Sequence, residues 1–393
     1  MVRLAMEALL VSVFAFFWLH SLLWLVRGAI ERIRRREQVP LNRRIEYFQR
    51  IDPVHRILHV FVIVSFLGLA LTGLPIKYPG HPWSAAIFSW LDSIFQGNGG
   101  QVARLFHRIF AIVTFGYLAT HLVVLCMRSL RTRHDEIMKR FQPCPVDLDL
   151  PPEGRDVSWH ARYLAWWMPV VLFYVPFGIA AAARDLLRRD RSGEGLARRV
   201  LRRAFGPDSM LPRLQDLRDL AASFRWFLWL GPRPRWDRWT YWEKFDYWAV
   251  FWGVAVIGTT GLCIWFKELF TSTLGLPGWA INVAMEIHSH EALLATAFIF
   301  SIHFFNTHLN PGKFPMDRVI FTGRIDRHEM EHERPALYDR LRASGRLDAL
   351  RRSRAPAWVR ILGAAFGAAA VVVGIVLVVW IVRMEWSNIF HSL

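Results

Sequence analysis

The sequence predicts an all-α protein, a polytopic transmembrane helical bundle, on three observations. Apolar residues make up 53% of the 393 residues and lie in blocks of about 20 or more, the length that crosses a bilayer. Charged residues lie between the blocks, 49 Lys and Arg against 32 Asp and Glu, for a net charge of +17. The cations are also shared unequally, because strongly basic connections alternate with nearly uncharged ones. Such a chain is too apolar to be disordered and too basic for an ordinary soluble enzyme.

Seven apolar blocks follow in order: 7–27, 57–76, 105–127, 161–183, 247–266, 280–305 and 357–382. The first runs into a basic stretch rather than a small-residue cleavage site, so it reads as a retained anchor. In the last, Gly363 and Gly367 form a G-x-x-x-G that permits close helix contact. Segments 29–54, 128–140, 184–245 and 306–356 carry seven, five, fifteen and eleven Lys or Arg, whereas 77–103 and 267–279 carry only Lys77 and Lys267. Positive loops stay in the cytoplasm, so the first group is expected inside and the second outside an inner-membrane-type bilayer.

Block 161–183 breaks that alternation. Both its flanks are basic, and Pro169 and Pro176 remove backbone donors within it. It reads as re-entrant or interfacial, which leaves six spans with both termini external. The expected organisation is an anchor span with a basic segment (1–44), two spans of a core (45–130) and a cytoplasmic insertion (131–235). Two further core spans (236–325), then a charged arm and last span (326–393), complete it. Within 190–240 a surface helix leads to Trp236, Trp239, Trp242 and Trp248, which suit the headgroup layer.

Ionisable residues inside spans are costly and functional by default, and here most are histidines. Imidazole is a usual axial ligand of haem iron. His288 and His303 are 15 residues apart, within about 60° of one helix face and roughly 22 Å along the axis. His290 and His303 are about 140° apart in azimuth, so His288 is the better partner. His107 and His121 are 14 apart, within about 40° and roughly 21 Å. By depth, one set is His107 with His288, and the other is His303 with either His59 or His121. His20 stands alone in the first span and reads as an interhelical hydrogen-bonding residue.

Other chemistries fail on spacing. Leu294 stands where a zinc protease would need its second histidine after His290-Glu291. The spans lack the glutamates of a di-iron bundle. Cys126, Cys144 and Cys263 form no C-x-x-C and no c-haem motif, and there is no P-loop or G-x-G-x-x-G. The positive charge belongs to the loops and does not indicate nucleic acid.

At two stretches the chain resembles the cytochrome b membrane subunit of respiratory formate dehydrogenase, nickel-iron hydrogenase and thiosulfate reductase. One runs from Arg56-Ile57-Leu58-His59 through Leu71-Thr72-Gly73 to Arg104-Leu105-Phe106-His107. The other runs from Tyr241-Trp242-Glu243-Lys244 and Tyr247-Trp248 through Ile287-His288 and His303-Phe304-Phe305 to Lys313-Phe314-Pro315-Met316-Asp317 and Thr322-Gly323. Together they cover 45–130 and 205–325, roughly half of the chain.

The resemblance implies a four-helix di-haem core with two haem b groups, one held by His107 and His288 and the other by His59 and His303. His121, the extra first and last spans and the block 161–183 depart from the family pattern. His121 stays an alternative ligand to His59, and His121 with His20 would be the ligands of an additional, third haem. The resemblance also implies electron transfer between a membrane quinone, menaquinone or ubiquinone, and an external redox subunit carrying c-haems or Fe–S clusters. Its quinone site would fall at Thr240, Glu243, Lys244 and Asp246, facing His303, Asn306 and His308, with Glu243 or Asp246 relaying a proton. Arg56, Arg104 and Arg108 sit beside candidate ligands, where they can pair with haem propionates. Two other classes stay open: a self-contained b-type reductase with an external acceptor, and a non-redox scaffold.

Overall fold

The computed structural model describes residues 2–34, 45–129, 158–159, 162, 165 and 204–391. The chain divides into a first unit, Met1–Phe115 with Pro212–Leu393, and a second, Gly116–Leu211. Most of the second unit, including all of the block 161–183 except 162 and 165, lies outside the described residues.

The first unit is a helical bundle. Its long helices are α1 (Val2–Arg34), α2 (Pro53–Lys77) and α4 (Gly99–Ser129, whose later part belongs to the second unit). They are joined by α6 (Tyr241–Trp265), α7 (Gly278–Phe298) and α11 (Ala357–His391). Among the described residues these six helices are long and apolar enough to cross a membrane. The protein is a multi-pass membrane protein. Trp18, Ile57, Ile112, Trp252, Ile361 and Val372 are among the large apolar side chains left exposed along them. A bilayer covers such surface, which would be a liability in water.

Local chemistry fixes the helix starts. Asp52 caps α2 by accepting from the His55 N–H at 3.2 Å, with Pro53 at the first helical position. Thr240 and Glu243 form a capping box at α6. Two shorter helices lie across the ends. α3 (Pro82–Ile94) stacks Trp83 on Trp380 of α11, with ring centres 4.5 Å apart. α5 (Leu214–Phe227) buries Trp226 and Phe227 against Trp24, Trp236, Trp242 and Phe305.

The charged arm after α7 is folded. It forms α8 (Val319–Thr322), β2 (Arg324–Asp326), α9 (Arg327–Glu333), α10 (Pro335–Ala343) and β3 (Arg351–Arg352). With β1 (Tyr47–Gln49) these strands make an antiparallel sheet of order β2-β1-β3, in which Phe48 pairs with Ile325 and Arg351. Phe48, Val319, Ile325, Met330, Leu337, Tyr338 and Leu341 form its core. Gly323 ends α8 in the left-handed region (φ 71°), and its carbonyl accepts the N–H groups of Arg50 and Ile51. The end of the bundle carrying this sheet is called the basic end below; the opposite one is the far end.

Two expectations differ in detail. Trp236 and Trp242 are buried in protein rather than set in a headgroup layer, because α5 folds back over them. Gly363 and Gly367 admit the side chains of Phe321 and Met316.

Candidate functional site

Four of the histidines meet in two pairs. At the far end, the rings of His107 on α4 and His288 on α7 lie 6.3 Å apart, centre to centre. At the basic end, His59 on α2 and His303 lie 6.5 Å apart. The ligand spacing along α7 depends on its geometry. The helix widens into π turns over Ile299–His303 and Phe305–Leu309. A π turn absorbs one extra residue, so 15 positions turn nearly as 14 would in an α-helix, about 40° from one face instead of about 60°.

Three of the four imidazoles have Nδ1 engaged. The Thr72 hydroxyl donates to the Gly68 carbonyl at 2.6 Å and so accepts from His107 Nδ1 at 2.9 Å. His288 Nδ1 donates to the Ile257 carbonyl at 2.9 Å. His303 Nδ1 donates to the Asp246 carboxylate at 3.0 Å. In a neutral imidazole a protonated Nδ1 leaves Nε2 with the lone pair a metal needs. His59 is the exception, since its buried Nδ1 has no hydrogen-bond partner among the described residues.

Glycines make room for the far pair. A Cβ at Gly73 would lie 3.1 Å from His107 Cε1, and one at Gly261 would lie 3.0 Å from His288 Cε1. Both contacts are too tight for any larger residue without moving the ring.

These observations test the fit of haem iron between two imidazoles. A metal–nitrogen bond of about 2.0 Å, with about 1.2 Å from nitrogen to ring centre on each side, puts the two centres about 6.4 Å apart. Both pairs match that separation. Arg56, one turn before His59, donates from one guanidinium nitrogen to the Phe321 carbonyl at 2.9 Å, and its buried Nε, packed beside Gly323, has no hydrogen-bond partner among the described residues. The residues present fit two b haems.

The remaining candidates fall elsewhere. Arg104 is exposed, and Arg108 lies over the Trp265 ring at 5.0 Å. His290 turns back to the Glu286 carbonyl of its own helix at 2.9 Å. His20 shares a 2.5 Å hydrogen bond through Nε2 with the Tyr241 hydroxyl, inside a ring of Phe16, Trp24, Phe224 and Phe227. That bond occupies the nitrogen a third haem would use. His121 lies on the stretch of α4 that belongs to the second unit. Among the described residues, no group of three or more His, Cys, Asp or Glu converges as a metal-ion site.

Of Thr240, Glu243, Lys244 and Asp246, expected at a quinone site, Asp246 is the one that hydrogen-bonds a paired histidine among the described residues. Glu243 caps α6 and accepts from Arg334 at 2.9 Å and Arg50 at 3.3 Å. Lys244 is buried against Asp216. Burial lowers the Arg50 guanidinium to about 10; Glu243 opposes this, while Arg334 and Arg238 add to it. Sequence reasoning had no access to Asp216, Arg50 and Arg334 as partners, because each comes from a distant segment.

Comparison with family models, curated proteins and solved structures returns no match.

Proposed function

We propose that this protein is the membrane subunit of an oxidoreductase, a di-haem cytochrome b carrying electrons between a membrane quinone and a redox subunit on the external face. The observation that carries the reading is the double pairing, His107 with His288 and His59 with His303, with ring centres 6.3 and 6.5 Å apart, residues that would hold the two haem irons. Bound haem would supply the one-electron carriage that no side chain here provides.

The chain's own part is to hold and orient. Thr72, the Ile257 carbonyl and Asp246 fix the tautomers and ring directions of three ligands. Gly73 and Gly261 give the far rings space. Exposed apolar side chains on the spans keep the pairs in lipid, away from bulk water. Asp246 is the carboxylate best placed to manage charge near a quinone at the basic end. Glu243 and Lys244 hold α6 in position.

The positive-inside rule puts the basic end in the cytoplasm of an inner-membrane-type bilayer and both termini outside. The external partner, carrying c-haems or Fe–S clusters, would then face the far end.

The deciding experiment is a reduced-minus-oxidised spectrum of the purified chain, with haem and protein quantified together. Two b haems per chain are expected. His59→Ala should leave one, and His121→Ala should leave two. A chain that binds no haem when expressed with adequate haem supply overturns the reading.

A further inference from the structure

The two histidine pairs are held by different acceptors. At the far end both acceptors are neutral, the Thr72 hydroxyl for His107 and the Ile257 carbonyl for His288. The supporting helices are also built alike there. Leu71-Thr72-Gly73-Leu74 on α2 and Thr259-Thr260-Gly261-Leu262 on α6 each set a Thr-Gly step against an imidazole of a neighbouring helix.

At the basic end the likeness breaks. His303 donates to a carboxylate, and His59 Nδ1 meets no acceptor among the described residues. Asp246 stands 14 residues before Thr260, and His59 stands 13 before Thr72. The carboxylate therefore sits on α6 at the level where α2 carries a ligand.

We propose that Asp246 is a positioning residue which, through His303, lowers the reduction potential of the haem site at the basic end and so sets the two sites apart. This rests on the di-haem reading above. An anionic acceptor pulls on the Nδ1 proton and raises electron density at Nε2, which favours the oxidised, more positive iron. The negative charge acts in the same direction across the ring. A carbonyl or hydroxyl acceptor does so less. Arg50, Arg334 and Glu243 also lie at this end, but they are common to wild type and variant. The Asp246 contribution is the difference between the two.

The test is a redox titration of the purified full chain, following the haem absorbance bands, for wild type, Asp246→Asn and Asp246→Glu. Asp246→Asn should keep two haems, raise one midpoint potential and leave the other in place. Asp246→Glu, which retains the charge, should return the shifted potential toward wild type. Two haems with both potentials unchanged in Asp246→Asn overturn the inference while leaving the di-haem reading intact. If Asp246→Asn sheds one haem, Asp246→Glu must hold two; one haem in both variants also overturns it. A wild-type chain without haem fails the underlying reading instead.

Discussion

Lys244 and Asp216 join the start of α6 to the start of α5: the Lys244 ammonium lies 2.8 Å from both oxygens of the Asp216 carboxylate. The lysine side chain is 2% exposed. Asp216 also accepts from the Arg213 N–H at 2.6 Å, so one carboxylate starts α5 and anchors α6. This contact brings the amphipathic α5 over Trp24, Trp236 and Trp242.

A buried ion pair is most sensitive to losing one partner. Lys244→Met leaves the Asp216 charge uncompensated and should destabilise the fold by about 3–5 kcal/mol. Replacing both residues by apolar ones of similar volume should recover most of that loss. Thermal unfolding in detergent, comparing both single variants with the double, checks it. Equal stability of all four proteins would rule out the pair as an anchor.

Acid should loosen the small sheet domain. Burial disfavours ionisation of Glu333, but the His332 hydrogen bond and the Arg233 and Lys313 charges outweigh it and hold the carboxyl below its ordinary range. The folded value is depressed, so this stability is fully present above the unfolded value of about 4.3 and is lost as pH falls from there through the folded value. Glu333→Gln should be less stable at neutral pH and lose less on acidification. Proteolysis of the segment 324–352 across pH 7 to 3 reads this directly. Parallel acid profiles for wild type and variant would count against it.

The space beside His288 should be specific to glycine. Gly261→Val places branched carbons where the imidazole edge lies 3.0 Å from even a Cβ, and should cost the chain one haem. Gly253→Ala on the same helix meets, among the described residues, only Ile257 Cδ1, at 4.0 Å, and should keep both. Haem-to-protein ratios decide it, and two haems in Gly261→Val would show that the ring has room elsewhere.

The sequence by itself determined the spans and the depth of the histidines. Six of the apolar blocks are helices because a run of about 20 apolar residues has one way to satisfy its backbone in lipid. Helical periodicity is local, so the levels of His59, His107, His288 and His303 could be read from their numbers. Tertiary structure decided what is not local. The π turn that narrows the angle between His288 and His303 leaves no periodic mark in the sequence. The strands around Phe48, of two or three residues each, are too short to show alternation, and they pair across more than 270 residues. Glu243 and Lys244 looked available at a span end, yet Arg50, Arg334 and Asp216 reach them from distant segments. A charge near a membrane must find a partner, and only the assembled chain shows which one it finds.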